Sequence, residues 1–133
     1  MKPGFDPASN ITASVTFVVD ETMLAAFEGH VVHPVLGTMW VVHYLELAGR
    51  RLILPYLETH EEGVGHAITV IHRNPAHPGT RVIATATLSE YTGNRVVARV
   101  EARAGDGALV ADGDFTQVIL PKDVIASRFN TRP

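Results

Sequence analysis

One segment of this chain reads as a long helix, and everything after it reads as strands joined by turns. From Thr38 to Ala48 no proline or glycine interrupts the chain; Gly49 is a weak point and Pro55 sets the far limit. The segment is apolar most of the way round, the mark of a helix covered on several sides. Beyond it, His66, Ile68, Val70 and His72 alternate with Ala67, Thr69, Ile71 and Arg73. Val82, Ala84, Ala86 and Leu88 alternate with Ile83, Thr85 and Thr87, and Val96, Ala98, Val100 and Ala102 with Arg95, Arg99, Glu101 and Arg103. A period of two marks strands with one buried face. Leu109 to Ile119 alternates less cleanly, with Gly113 as a candidate bulge. The breaks at Gly93-Asn94 and Gly105-Asp106-Gly107 are too short for a crossover, so these strands pair antiparallel.

Ahead of the helix, Ala13, Val15, Phe17 and Val19 share one face of a first strand. Asp20 as N-cap and Glu21 in a first turn predict a short helix that stops at Gly29. Residues 30–37, His-Val-Val-His-Pro-Val-Leu-Gly, form a connector apolar enough to line a cavity. Residues 1–10, with two prolines and a glycine, read as a loose arm, and 121–129 as a short terminal helix. The expectation is a single α+β domain over residues 1–133, with an antiparallel sheet of about five strands and one long helix on its face. The helix is more apolar than one sheet can cover, which points to a second copy of the chain.

Composition narrows the function. With 46% hydrophobic and 19% charged residues the chain packs as a globule rather than staying disordered. A net charge of −3 without a basic run argues against nucleic acid as a partner. Cysteine is absent, which removes disulfides, thiolate metal sites and a cysteine nucleophile, and fits a cytoplasmic setting. The longest apolar stretch, Met39 to Leu57, carries His43, Glu46, Arg50 and Arg51, so no membrane span is expected there. The N-terminus has no apolar stretch of the signal-peptide kind.

Three side chains stand out chemically. Glu46 lies in the middle of the apolar helix. Either Arg50, four residues on, pairs with it on a solvated stripe, or the carboxylate is held in a cleft as a base or nucleophile. His72 shares a strand face with Ile68 and Val70; facing Glu46, it would complete an acid/base pair. Thr38 opens the helix, where a hydroxyl commonly caps it. Thr38 and Glu46 would lie about 12 Å apart along the axis, too far to share a small substrate without help. His30 and His33 lack a third ligand of suitable spacing, so no metal site is expected, and no nucleophile elbow or phosphate-binding glycine loop is present.

The stretch from His33-Pro34 to Glu46-Leu47-Ala48-Gly49-Arg50, then Pro55-Tyr56-Leu57-Glu58, Gly65 and His72, resembles the fluoroacetyl-CoA thioesterase type of hot-dog protein. The resemblance covers about residues 11–120. It implies a hot-dog fold and hydrolysis of a small or medium-chain acyl-CoA ester. Thr38, Glu46 and His72 match the family's catalytic residues, and Gly65 matches the glycine whose backbone helps hold the acyl group. Val32 and Met39 are expected to line the acyl end. No cofactor is implied, coenzyme A being part of the substrate. Hot-dog proteins pair edge to edge with the site at the seam, which implies a homodimer or a dimer of dimers. Gly29 and Val32 stand where the fluoroacetyl specialist has a phenylalanine lid, so ordinary acyl esters, rather than a strongly preferred fluorinated one, are expected as substrates. Two rival readings use the same residues: a hydratase or dehydratase acting on a CoA or carrier-protein ester, and a non-catalytic acyl-CoA binder.

Overall fold

The computed structural model describes residues 1–130. Strands β1 (Thr12–Val18), β2 (Leu24–Phe27) and β3 (His30–Leu36) precede the helix α1 (Thr38–Ile53). Strands β4 (Glu61–His72), β5 (Arg81–Thr92), β6 (Arg95–Ala104) and β7 (Leu109–Pro121) follow, then α2 (Lys122–Phe129). Five strands form one antiparallel sheet in the order β1-β5-β6-β7-β4, while β2 and β3 form a separate hairpin. The α+β sheet-and-helix plan expected from the periodicity is the one observed.

Helix α1 buries one stripe, Val41, Leu45, Ala48 and Leu52, at the spacing of successive turns. Beneath it lie small residues of β5 and β6, with Ala84, Ala86, Ala98 and Val100 fully buried. These short side chains let the helix sit close to the sheet. Gly49 does not break the helix. A methyl there would run into the Phe115 ring of β7, so the glycine is a point of contact rather than weakness. Nearby, the buried Gln117 amide donates to the Gly49 carbonyl at 2.9 Å, fastening α1 to β7. At the other edge the Tyr44 ring stacks on Phe17, with centroids 3.7 Å apart.

Several local expectations are corrected. Asp20 caps only a single tight turn, Glu21–Met23, after which the chain becomes the β2–β3 hairpin instead of a helix. Glu28 and Gly29 make its two-residue turn, both with positive φ, the geometry that matches the twist of paired strands. Gly113 is not a bulge, since pairing runs through it on both sides. A Cβ there would strike the Thr69 carbonyl of β4, so close strand approach demands the glycine. The bulge lies instead in β4, where the register shifts between Gly65 and Ala67. The N-terminal arm is docked rather than loose: Phe5 is 5% exposed and its ring meets Tyr56 and Tyr91 at 5.1 Å. No helix of the described residues is long and apolar enough to cross a membrane.

Candidate active site

The three singled-out side chains fall into two groups. Thr38 is the first residue of α1, but it does not cap the helix; Gly37 occupies that position without a side-chain bond. The Thr38 hydroxyl instead sits 2.8 Å from Nδ1 of His72, at the end of β4. This imidazole is half-buried, and its Nε2 is buried without a hydrogen-bond partner. Burial pushes His72 below its ordinary value, against a smaller upward pull from the Asn74 backbone. The ring is therefore held neutral near pH 7, with one nitrogen engaged and the other available for a proton.

Glu46 lies elsewhere. Arg50, its neighbour one turn on, does not pair with it but donates to Glu62 of β4 at 2.8 Å. That removes the simple helix-pair explanation of Glu46. Its carboxylate stands over Gly65, where a Cβ would come within 2.8 Å of Oε2. A cavity of about 310 Å³ lies beside it, lined by His43, Arg50, Gly63 and Phe115 among others. Exposed in the single protomer, Glu46 has an open face toward the edge of β4.

The bulge in β4 decides how the two groups relate. Counting pairs along β7, Gly65 and Thr69 are three ladder steps apart, and so are Thr69 and His72. Six steps is an even number, so Gly65 and His72 point to the same face of the sheet. Strict alternation from His66 to His72 would place Gly65 on the opposite face, and the inserted residue corrects this. The same count separates them by roughly 20 Å. One chain thus presents Thr38–His72 and Glu46–Gly65 on one face without bringing them together.

Around Thr38 two cavities meet. One of about 270 Å³ holds His72, Arg73 and Asn74; the other, about 540 Å³, holds Phe27, Met39 and Trp40. Thr38 and His33 line both. Met39 thus lies where the acyl end was expected. Val32 stands 52% exposed and is not among the lining residues, because on β3 its neighbour His33 takes the inward place. Phe27 and Trp40 were not foreseen, and only a reading of residues 24–36 as a hairpin would have brought Phe27 to the site. Among the described residues no cluster of three or more His, Asp or Glu side chains could hold a metal ion.

A curled antiparallel sheet around one long helix, with a Thr–His pair at the helix start and a carboxylate further along, defines a hot-dog protein of the thioesterase type. A family model described as fluoroacetyl-CoA-specific thioesterase, FlK, matches residues 19–123, and the chain belongs to that family. A fluoroacetyl-CoA thioesterase of Streptantibioticus cattleyicolor is 39% identical over 71 residues, 53% of this chain; the match spans about half of that relative, 51% of its length. Among solved structures, a thioesterase superfamily member of Thermus thermophilus superposes with a TM-score of 0.89 at 43% identity, over 91% of this chain and 89% of that one. The fluoroacetyl-CoA thioesterase FlK superposes with a TM-score of 0.81 at 27% identity, over 93% and 96%. A variant of that enzyme has been solved with fluoroacetate and CoA.

Proposed function

We propose that the protein is a single-domain cytoplasmic acyl-CoA thioesterase, working as a homodimer or a dimer of such dimers, with each site shared between two protomers. The observation that carries this reading is the separation of Glu46 from His72 on one face of β4. β4 is a terminal strand of the sheet, twelve residues long, with an unpaired outer edge. A long free edge is a template for pairing. If β4 pairs antiparallel with its copy about a two-fold axis at Thr69, three ladder steps either side set Gly65 opposite His72 of the partner subunit. Glu46 of one protomer then faces Thr38 and His72 of the other, twice per dimer. Family membership supports the same chemistry and the CoA ester substrate.

In the shared site Glu46 supplies the nucleophile. Its carboxylate oxygen adds to the thioester carbonyl, or it takes the proton of a water that does so. The C–S bond breaks and CoA leaves as a thiolate, which a thiol of ordinary acidity does readily. In the first route water then opens the acyl anhydride. Neutral His72 accepts and returns the proton. The Thr38 hydroxyl holds the carbonyl oxygen or the water, and the Gly65 backbone helps hold the acyl group. None of these steps calls for a cofactor.

The test is complementation between two inactive variants, Glu46→Gln and His72→Ala. With a shared site, subunit exchange leaves one intact site in each mixed dimer, and thiol release recovers to about a quarter of wild type after equal mixing. If both residues act within one protomer, every site in the mixture carries a lesion and nothing recovers. Light scattering that gave a monomer at micromolar concentration would also overturn the dimer. A dehydratase or a binding protein would release no thiol from any ester.

A further inference from the structure

The cavity of about 540 Å³ beside Thr38 is larger than the 310 Å³ hollow at Glu46 and has walls of a different kind. Phe27 ends β2 at 70% exposed, Met39 follows Thr38 at 71%, and the half-buried Trp40 closes the side. Large apolar side chains left this open and gathered at one place mark a binding surface rather than leftover core. The volume falls in the range of pockets that enclose small-molecule ligands. It opens at Thr38, whose hydroxyl is already tied to His72 on the side of the neighbouring cavity. A carbonyl held at Thr38 therefore has polar groups on one side and an apolar chamber on the other. A two-carbon acyl group would leave that chamber almost empty.

We propose that Phe27, Met39 and Trp40 form the acyl-selecting wall of the site, and that the substrates are CoA esters of medium-length apolar acyl groups rather than two-carbon ones. This rests on the thioesterase reading above. The occupant is the substrate's own acyl chain because the chamber is continuous with Thr38. Phe27 comes from a hairpin that packs away from the main sheet, so selectivity can change there without disturbing the core.

Each methylene taken out of water is worth about fourfold in affinity. Acetyl-CoA and hexanoyl-CoA differ by four methylenes, so kcat/KM should rise by roughly 10- to 100-fold between them, part of the gain being lost to incomplete burial. Phe27→Ala should cut the hexanoyl-to-acetyl ratio about tenfold, and Ala26→Trp, which fills the chamber from β2, should cut it further. Circular dichroism of both variants confirms folding. Titration of the non-hydrolysable thioethers S-ethyl-CoA and S-hexyl-CoA separates the two layers of the argument. Tighter binding of S-hexyl-CoA, lost in Phe27→Ala, supports the acyl wall even if no ester is hydrolysed, in which case the thioesterase reading alone falls. Hydrolysis that is flat or declining from acetyl to hexanoyl overturns the acyl wall while leaving the thioesterase intact. A flat profile in which Phe27→Ala lowers the oligomer mass assigns the chamber to a second copy of the chain and also overturns it.

Discussion

At the C-terminal end of β4, His72 is half-buried and tied to Thr38 at 2.8 Å. In the first half of the same strand, Glu46 stands over Gly65 with no hydrogen-bond or ion-pair partner among the described residues. One group is finished within the chain and fixed by a bond. The other is placed only by shape: a missing side chain at Gly65, the Phe115 ring, and a helix fastened to β7 through Gly49 and Gln117. A group aimed by shape and left without a bond is what an incomplete site looks like, because its bonding partner is to be supplied from outside the protomer.

The largest effect expected from this contrast is at Glu46. Glu46→Gln keeps size and shape and disturbs no bond in the protomer, so the melting temperature should be unchanged. Turnover should nevertheless fall by about 10²–10⁴-fold, the usual worth of a positioned acid, base or nucleophile. Wild-type turnover in the folded variant would sink the assignment and leave Glu46 a surface carboxylate.

Gly65 sharpens the same point with a smaller effect. Its φ is not in the left-handed region, so alanine fits the backbone without strain. The added methyl would take the space within 2.8 Å of Glu46 Oε2 and push the carboxylate aside. A displacement of this order costs about 10²-fold in rate when the group must be aligned. Gly65→Ala should therefore lose about 10²-fold in kcat while its thermal unfolding stays at or slightly above that of the parent. Equal losses of stability and activity would show that Gly65 serves the sheet rather than the carboxylate.

The sequence displayed the Thr38–His72 end of this comparison incompletely and the Glu46 end almost fully. Glu46 was conspicuous because charge in an apolar helix is costly. Alternation predicted the inward face of Ile68, Val70 and His72, and the sheet bears it out. What alternation could not carry was the insertion at His66, because a bulge leaves no mark in composition and yet reverses every face before it. The pairing of Thr38 with His72 joins residues 34 apart, and only the docking of α1 on the sheet brings them together. The segment 20–36 was misread for another reason. Asp20 and Glu21 do start a turn, but Val31, Val32 and the positive-φ pair at Glu28-Gly29 favour a hairpin over further helix. That misreading hid Phe27. The arm was misjudged because two prolines suggested looseness while the single Phe5 ring suffices to anchor it.

The smallest expected effect joins the two ends through His72 itself. In an isolated protomer burial holds the imidazole below 6.5, its ordinary value. The unfolded chain titrates at the ordinary value, so between the two it binds more protons than the folded one, and stability falls as pH drops through that window. The slope cannot exceed one proton, about 1.4 kcal/mol per pH unit. A carboxylate from a partner subunit would act in the opposite sense, since a nearby negative charge favours the imidazolium. If the sites are shared, replacing Glu46 by glutamine removes that upward influence, and the His72 midpoint followed by NMR titration moves down relative to wild type. The acid limb of stability should move down with it. Should the midpoint be the same in both proteins, Glu46 and His72 do not sense each other even across the dimer, and the two ends of β4 belong to different sites.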